Sequence, residues 1–131
     1  MFSIPAFKNN NVVHAGRPSG GLSLIYSHKL SKFATRLTCP NSHRVQGLKV
    51  NFPSAMFLFI NTYFPTDTSA NNNNFDDSEL LTTLQDIKFL LDTSGDGAIV
   101  VLMGDINTDF SRNTLIAQIV KNFLAVNDLV T

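Results

Sequence analysis

The chain has 131 residues, long enough for one domain with a real core and too short for two. A hydrophobic content of 44%, with eleven Phe and no Trp, excludes a disordered chain, and a single cysteine, Cys39, excludes an internal disulfide framework. The formal net charge is zero, yet Lys8, Arg17, Lys29, Lys32, Arg36, Arg44 and Lys49 all precede the first acid, Asp67, and only Lys88, Arg112 and Lys121 follow it. This basic half reads first as solvated positions balanced by the acidic half, and second as a surface for a polyanion. No apolar run nears the roughly 20 residues of a membrane helix, and the start, Met1 to Lys8, lacks the basic-then-apolar order of a signal peptide. The expected location is therefore intracellular, the nucleus included, with no membrane partner.

Residues 1–16 show no periodicity. Gly16-Arg17-Pro18-Ser19-Gly20-Gly21 is a turn segment leading into an alternating strand, Leu22 to Tyr26. A phosphate loop would need Gly-Lys-Ser/Thr and a helix at this point, so that motif is rejected. A short strand is expected around Phe33 to Leu37. Val45 to Phe52 and Met56 to Phe64 flank Pro53-Ser54-Ala55, which predicts an antiparallel hairpin. Its second arm turns polar at Asn61 and carries Tyr63 near its tip. Taken alone, a structural Tyr hydrogen-bonded to backbone is the commoner outcome.

Asp76 with Glu79 three residues on resembles a capping box, and Leu80, Leu81, Leu84, Ile87 and Leu91 share one stripe, predicting a helix over about 77–91. A second helix is expected over about 112–126, with the stripe Leu115, Ile116, Ile119, Val120, Phe123 and Leu124. The order of strands, helix, strand, helix implies an α/β domain spanning 1–131, with helices covering a sheet.

Between the helices, Ile99-Val-Val-Leu-Met103 reads as a strand buried on both faces. Gly104 ends it, and Asp105 and Asn107 follow, two apart and so pointing the same way on extended chain. A carboxylate and a carboxamide delivered together by a core strand suit catalysis better than packing, because an unpartnered buried Asp is costly. Two calcium-loop frames are rejected: Asp92 to Met103 lacks the final Glu, and the frame from Asp105 places Phe110 where glycine belongs. Cys39 and His43 lack a second ligand pair for structural zinc.

Three segments then line up: Arg17 to Tyr26, Ile60-Asn-Thr-Tyr-Phe-Pro65, and Val101-Leu-Met-Gly-Asp-Ile-Asn-Thr-Asp109. Together they resemble the endonuclease/exonuclease/phosphatase superfamily, and within it the apurinic-type endonuclease domain of LINE-type (non-LTR) retrotransposons. That resemblance implies a partial four-layer α/β/β/α sandwich, DNase I-like, with mixed and mostly antiparallel sheets, shortened at both ends. It implies hydrolysis of DNA phosphodiesters dependent on Mg²⁺ or Mn²⁺. Asp105 would orient and deprotonate the water, Asn107 would hold a phosphate oxygen or the water, and Tyr63 would contact the scissile phosphate. The family's metal-binding Glu and C-terminal Asp-His element have no counterpart; the one glutamate here is Glu79, at a helix start, and Thr66 replaces a common Asn. The expectation is therefore weak or absent nicking, DNA as partner and no stable protein partner. The alternatives are an inactive interaction module of the same fold and a phosphatase acting on a small phosphoester.

Overall fold

The computed structural model describes residues 2–4, 21–39, 42–66 and 77–129. Its elements are β1 (Phe2–Ile4), β2 (Leu22–Leu24), β3 (Ala34–Thr38), β4 (Val45–Asn51), β5 (Met56–Tyr63), α1 (Ser78–Ser94), β6 (Ala98–Asp105) and α2 (Leu115–Val126). Strands β3, β4, β5 and β6 lie side by side in that order; the first two pairings are antiparallel and β5–β6 is parallel. The sheet is thus mixed and mostly antiparallel. Helix α1 supplies the crossover that a parallel pair requires. β1 pairs antiparallel with β2 in a separate two-stranded ribbon; three residues are too few for β1 to declare itself by periodicity.

Both helices pack on one face of the sheet. Leu80, Leu84, Ile87 and Leu90 of α1 and Ile116, Val120 and Leu124 of α2 share a core with Val45, Leu58 and Ile60. Their stripes follow the helical period, with small shifts: Leu81 and Leu115 are exposed, whereas Leu90 is buried. α2 begins three residues later than expected because Thr114 caps it, its hydroxyl accepting from the Ala117 N–H at 3.2 Å. At α1 the cap position falls on Asp77, which makes no side-chain cap bond, and Asp76 lies outside the described residues. The other face of the sheet meets the ribbon, where Leu24 packs with Leu48, Val50, Phe57 and Phe59.

One expectation fails. The strand at 99–103 is not buried on both faces; among the described residues β6 is the sheet's last strand, with Ile99 52% and Val101 37% exposed. Its helix-facing residues, Ala98, Val100 and Leu102, are only partly buried and line a cavity of about 600 Å³ beside α2. Among the described residues no helix is long and apolar enough to cross a membrane.

Candidate active site at the end of the sheet

Alternation along β5 sends Leu58, Ile60 and Thr62 toward the helices, and Phe57, Phe59, Asn61 and Tyr63 to the opposite face. In the parallel register Phe59 pairs with Val101, Asn61 with Met103 and Tyr63 with Asp105. Paired residues share a face, so the Tyr63 and Asp105 side chains leave the same face from neighbouring positions at one end of the sheet. Gly104 makes that pairing possible. Its φ is +127°, and a Cβ there would fall 1.9 Å from the Thr62 carbonyl oxygen. No side chain fits between the two strands at that point.

Asn107 arrives by another route than alternation. The chain leaves extended geometry after Asp105, and Asn107 takes φ +51°, a left-handed conformation that Asn tolerates better than most residues. The Asp105 Oδ1 accepts the Asn107 N–H at 3.0 Å, folding the chain back in an Asx turn. The Asn107 amide then donates to the Phe64 carbonyl at 2.9 Å, while the Phe64 N–H donates to the Asp105 carbonyl at 2.8 Å. The main chain of Phe64 is held from both sides, and Asn107 acts as one more rung of the β5–β6 ladder. One amide hydrogen is committed to that rung, which leaves the amide a second hydrogen and its carbonyl oxygen.

A third strand contributes what the sequence reading missed. One step beyond the Val45–Thr62 pair, Arg44 lies opposite Tyr63, whose N–H donates to the Arg44 carbonyl at 2.9 Å. The guanidinium carbon sits 5.5 Å from the Tyr63 ring centre. Arg44, one residue before β4, therefore forms a row with Tyr63 and Asp105 at the ends of β5 and β6. Gln46, Asn61 and Met103 form the row behind. There the Asn61 amide donates to the Ser23 carbonyl at 3.3 Å, tying the ribbon to the sheet. Gln46 is fully buried, and among the described residues neither end of its amide has a hydrogen-bond partner; each such group costs about 1–3 kcal/mol.

Beyond Asn107, Asp109 closes the next turn. The Ser111 hydroxyl and N–H donate to its Oδ1 at 2.7 and 2.9 Å, and Arg112 pairs with its other oxygen. These bonds, the Ser111 hydroxyl first, hold its carboxyl below the usual carboxylate range. Glu79, the chain's one glutamate, is away from this row's carboxylate and pairs with Arg44 at 2.8 Å.

Among the described residues no group of three or more His, Cys, Asp or Glu could hold a metal ion. A single carboxylate is the least that Mg²⁺ uses, and it suffices only where substrate phosphate supplies further oxygens. Asp105, exposed at the sheet end, meets that minimum. No protein-family model matches the chain, and no curated protein matches it.

Proposed function

We propose that this chain is an endonuclease-like phosphodiesterase acting on DNA, built on a DNase I-like four-layer plan and derived from a retroelement protein. A helix layer, the four-stranded sheet and the β1–β2 ribbon supply three successive layers compatible with that plan. One observation carries the reading: Tyr63 and Asp105 occupy paired positions on one face at the sheet end, with Asn107 folded back beside them. Hydrolysis of a phosphodiester needs a positioned water, a proton acceptor and donors to the phosphate oxygens. Asp105 would hold the water and accept its proton as oxygen attacks phosphorus in line with the ester oxygen; that phosphorus–oxygen bond breaks, and the leaving oxygen takes a proton from solvent water. Its Oδ1 is already fixed by the Asn107 N–H, so the carboxylate has a set direction. The Tyr63 hydroxyl would donate to a non-bridging oxygen, and the second amide hydrogen of Asn107 to another. Mg²⁺ or Mn²⁺, when bound with the phosphate, would neutralise part of its charge.

Nicking of supercoiled plasmid in millimolar Mg²⁺ tests this reading. Asp105→Ala is expected to lose about 10²–10⁴-fold in rate, and a chelator to abolish what remains. Equal nicking by wild type and Asp105→Ala would refute the assignment.

A second reading is favoured by the hydrogen bonds themselves. Asp105 and Asn107 each have a structural partner in the turn, as an inactive interaction module of the same fold would require. Absence of nicking, with intact folding, selects that reading.

A further inference from the structure

We infer that Arg44 is a positioning residue for Tyr63, and that Glu79 holds Arg44 in place. This rests on the phosphodiesterase reading of the site. Tyr63 is the last residue of β5, and Pro65 follows two residues on. A phenol at a strand end is poorly constrained by its own backbone and needs an outside brace to keep one rotamer.

Arg44 supplies that brace with the two terminal nitrogens of its planar fork. One terminal nitrogen donates to the Tyr63 carbonyl at 3.3 Å and the other to Glu79 Oε2 at 2.8 Å, while the guanidinium lies 5.5 Å from the ring centre. The Arg44 side chain is only 18% exposed, whereas that of Glu79 is 61% exposed. The pair therefore joins the desolvated end of β4 and β5 to the first turn of α1. Among the described residues Nε is buried without a hydrogen-bond partner, which sets the root of the guanidinium against the protein. Two separate donors and a flat face on an aromatic ring suit arginine and not lysine. A misplacement of about 1 Å at a reacting group can cost about 10²-fold in rate.

The test is steady-state nicking by wild type, Arg44→Gln, Arg44→Lys, Glu79→Gln, Tyr63→Phe and the double variant Arg44→Gln/Tyr63→Phe. Arg44→Gln is expected to lower kcat about 10–100-fold with KM within about threefold, as loss of orientation rather than binding predicts. Arg44→Lys should recover part of that loss. Glu79→Gln should cost only about threefold, and the double variant should be no slower than Tyr63→Phe. If Arg44→Gln does not fold, Arg44→Lys and Glu79→Gln give the same kcat reading. A slow Tyr63→Phe beside an Arg44→Gln as fast as wild type overturns the inference and leaves the phosphodiesterase reading intact. A raised KM at unchanged kcat also overturns it, because Arg44 would then be a DNA contact. Wild type and Asp105→Ala alike without nicking would remove both the reading and the inference.

Discussion

Strands β5 and β6 are neighbours of equal length, eight residues each, with the same design of an apolar body and a polar tip. Their surroundings differ. β5 has a strand on either side, with Leu58, Ile60 and Thr62 fully buried beneath the helices. Among the described residues β6 has a partner strand on one side, two exposed aliphatics on one face and an open cavity under the other. The tips differ in the same sense. The main chain after Tyr63 is gripped by Asp105 and Asn107, whereas the chain after Asp105 is folded back by its own side chains. β5 is thus the rigid reference of the site, and β6 is a lateral addition whose position depends on one close contact at Gly104.

The sharpest way to break the pairing is Gly104→Ala. It adds a clash with the Thr62 carbonyl to the strain of a positive φ. Together these should cost about 4 kcal/mol in chemical unfolding and displace Asp105 from Tyr63. An Ala variant as stable as wild type would mean that the strands do not approach so closely. Next in size is the contrast between two truncations. Ile60→Ala in β5 should lose about 2–5 kcal/mol as a fully buried residue. Val101→Ala in β6 should stay within about 1 kcal/mol. Similar losses at both would erase the distinction between the strands.

Cys39 sharpens the comparison from the helix side. Its thiol is 5% exposed and donates to the Asp86 carbonyl at 3.4 Å. Burial, with the nearby Asp86 carboxylate, pushes it from near 9 up to about 12. The folded state thus disfavours the thiolate. The stability this implies is complete below pH 9 and is lost as pH rises from 9 toward 12, by about 1 kcal/mol at pH 10. A Cys39→Ala variant should lack that alkaline decline in denaturant midpoint; the same decline in both proteins would contradict the assignment. The smallest effect belongs to Asp109. Its folded pKa is depressed, so its contribution is present above the ordinary carboxylate range and fades as pH falls through the folded value. Asp109→Asn should flatten the acid limb of stability slightly, and an unchanged limb would show that the Ser111 bonds do not persist in solution.

Much of this arrangement was legible in the chain. The hairpin over 45–64, both helices and the β6 strand follow from apolar spacing and turn residues, as do Tyr63 and Asp105 as tip residues. An apolar run in β6 cannot distinguish a central strand from an edge strand, because that depends on which strands lie beside it. Alternation failed for Asn107, since the chain stops being extended at Asp105. Arg44 was one residue out of reach of the sequence. Reading Pro53-Ser54-Ala55 as the whole turn sets Phe52 opposite Met56, and stepping outward along both arms then brings Arg44 opposite Phe64. In the fold Phe52 joins the turn, its N–H donating to the Ala55 carbonyl, so Asn51 pairs with Met56 and Arg44 falls opposite Tyr63. Gln46 gave no signal, because a Gln between two apolar-flanked positions reads as solvent-facing.

The most direct test of the site is a double-mutant cycle on plasmid nicking with Tyr63→Phe, Asp105→Asn and the two combined. Two groups acting on one phosphate in one transition state lose about as much together as the worse of them alone, and that non-additivity is the predicted result. Single variants that nick at the wild-type rate would show that phenol and carboxylate share a sheet end without sharing a substrate.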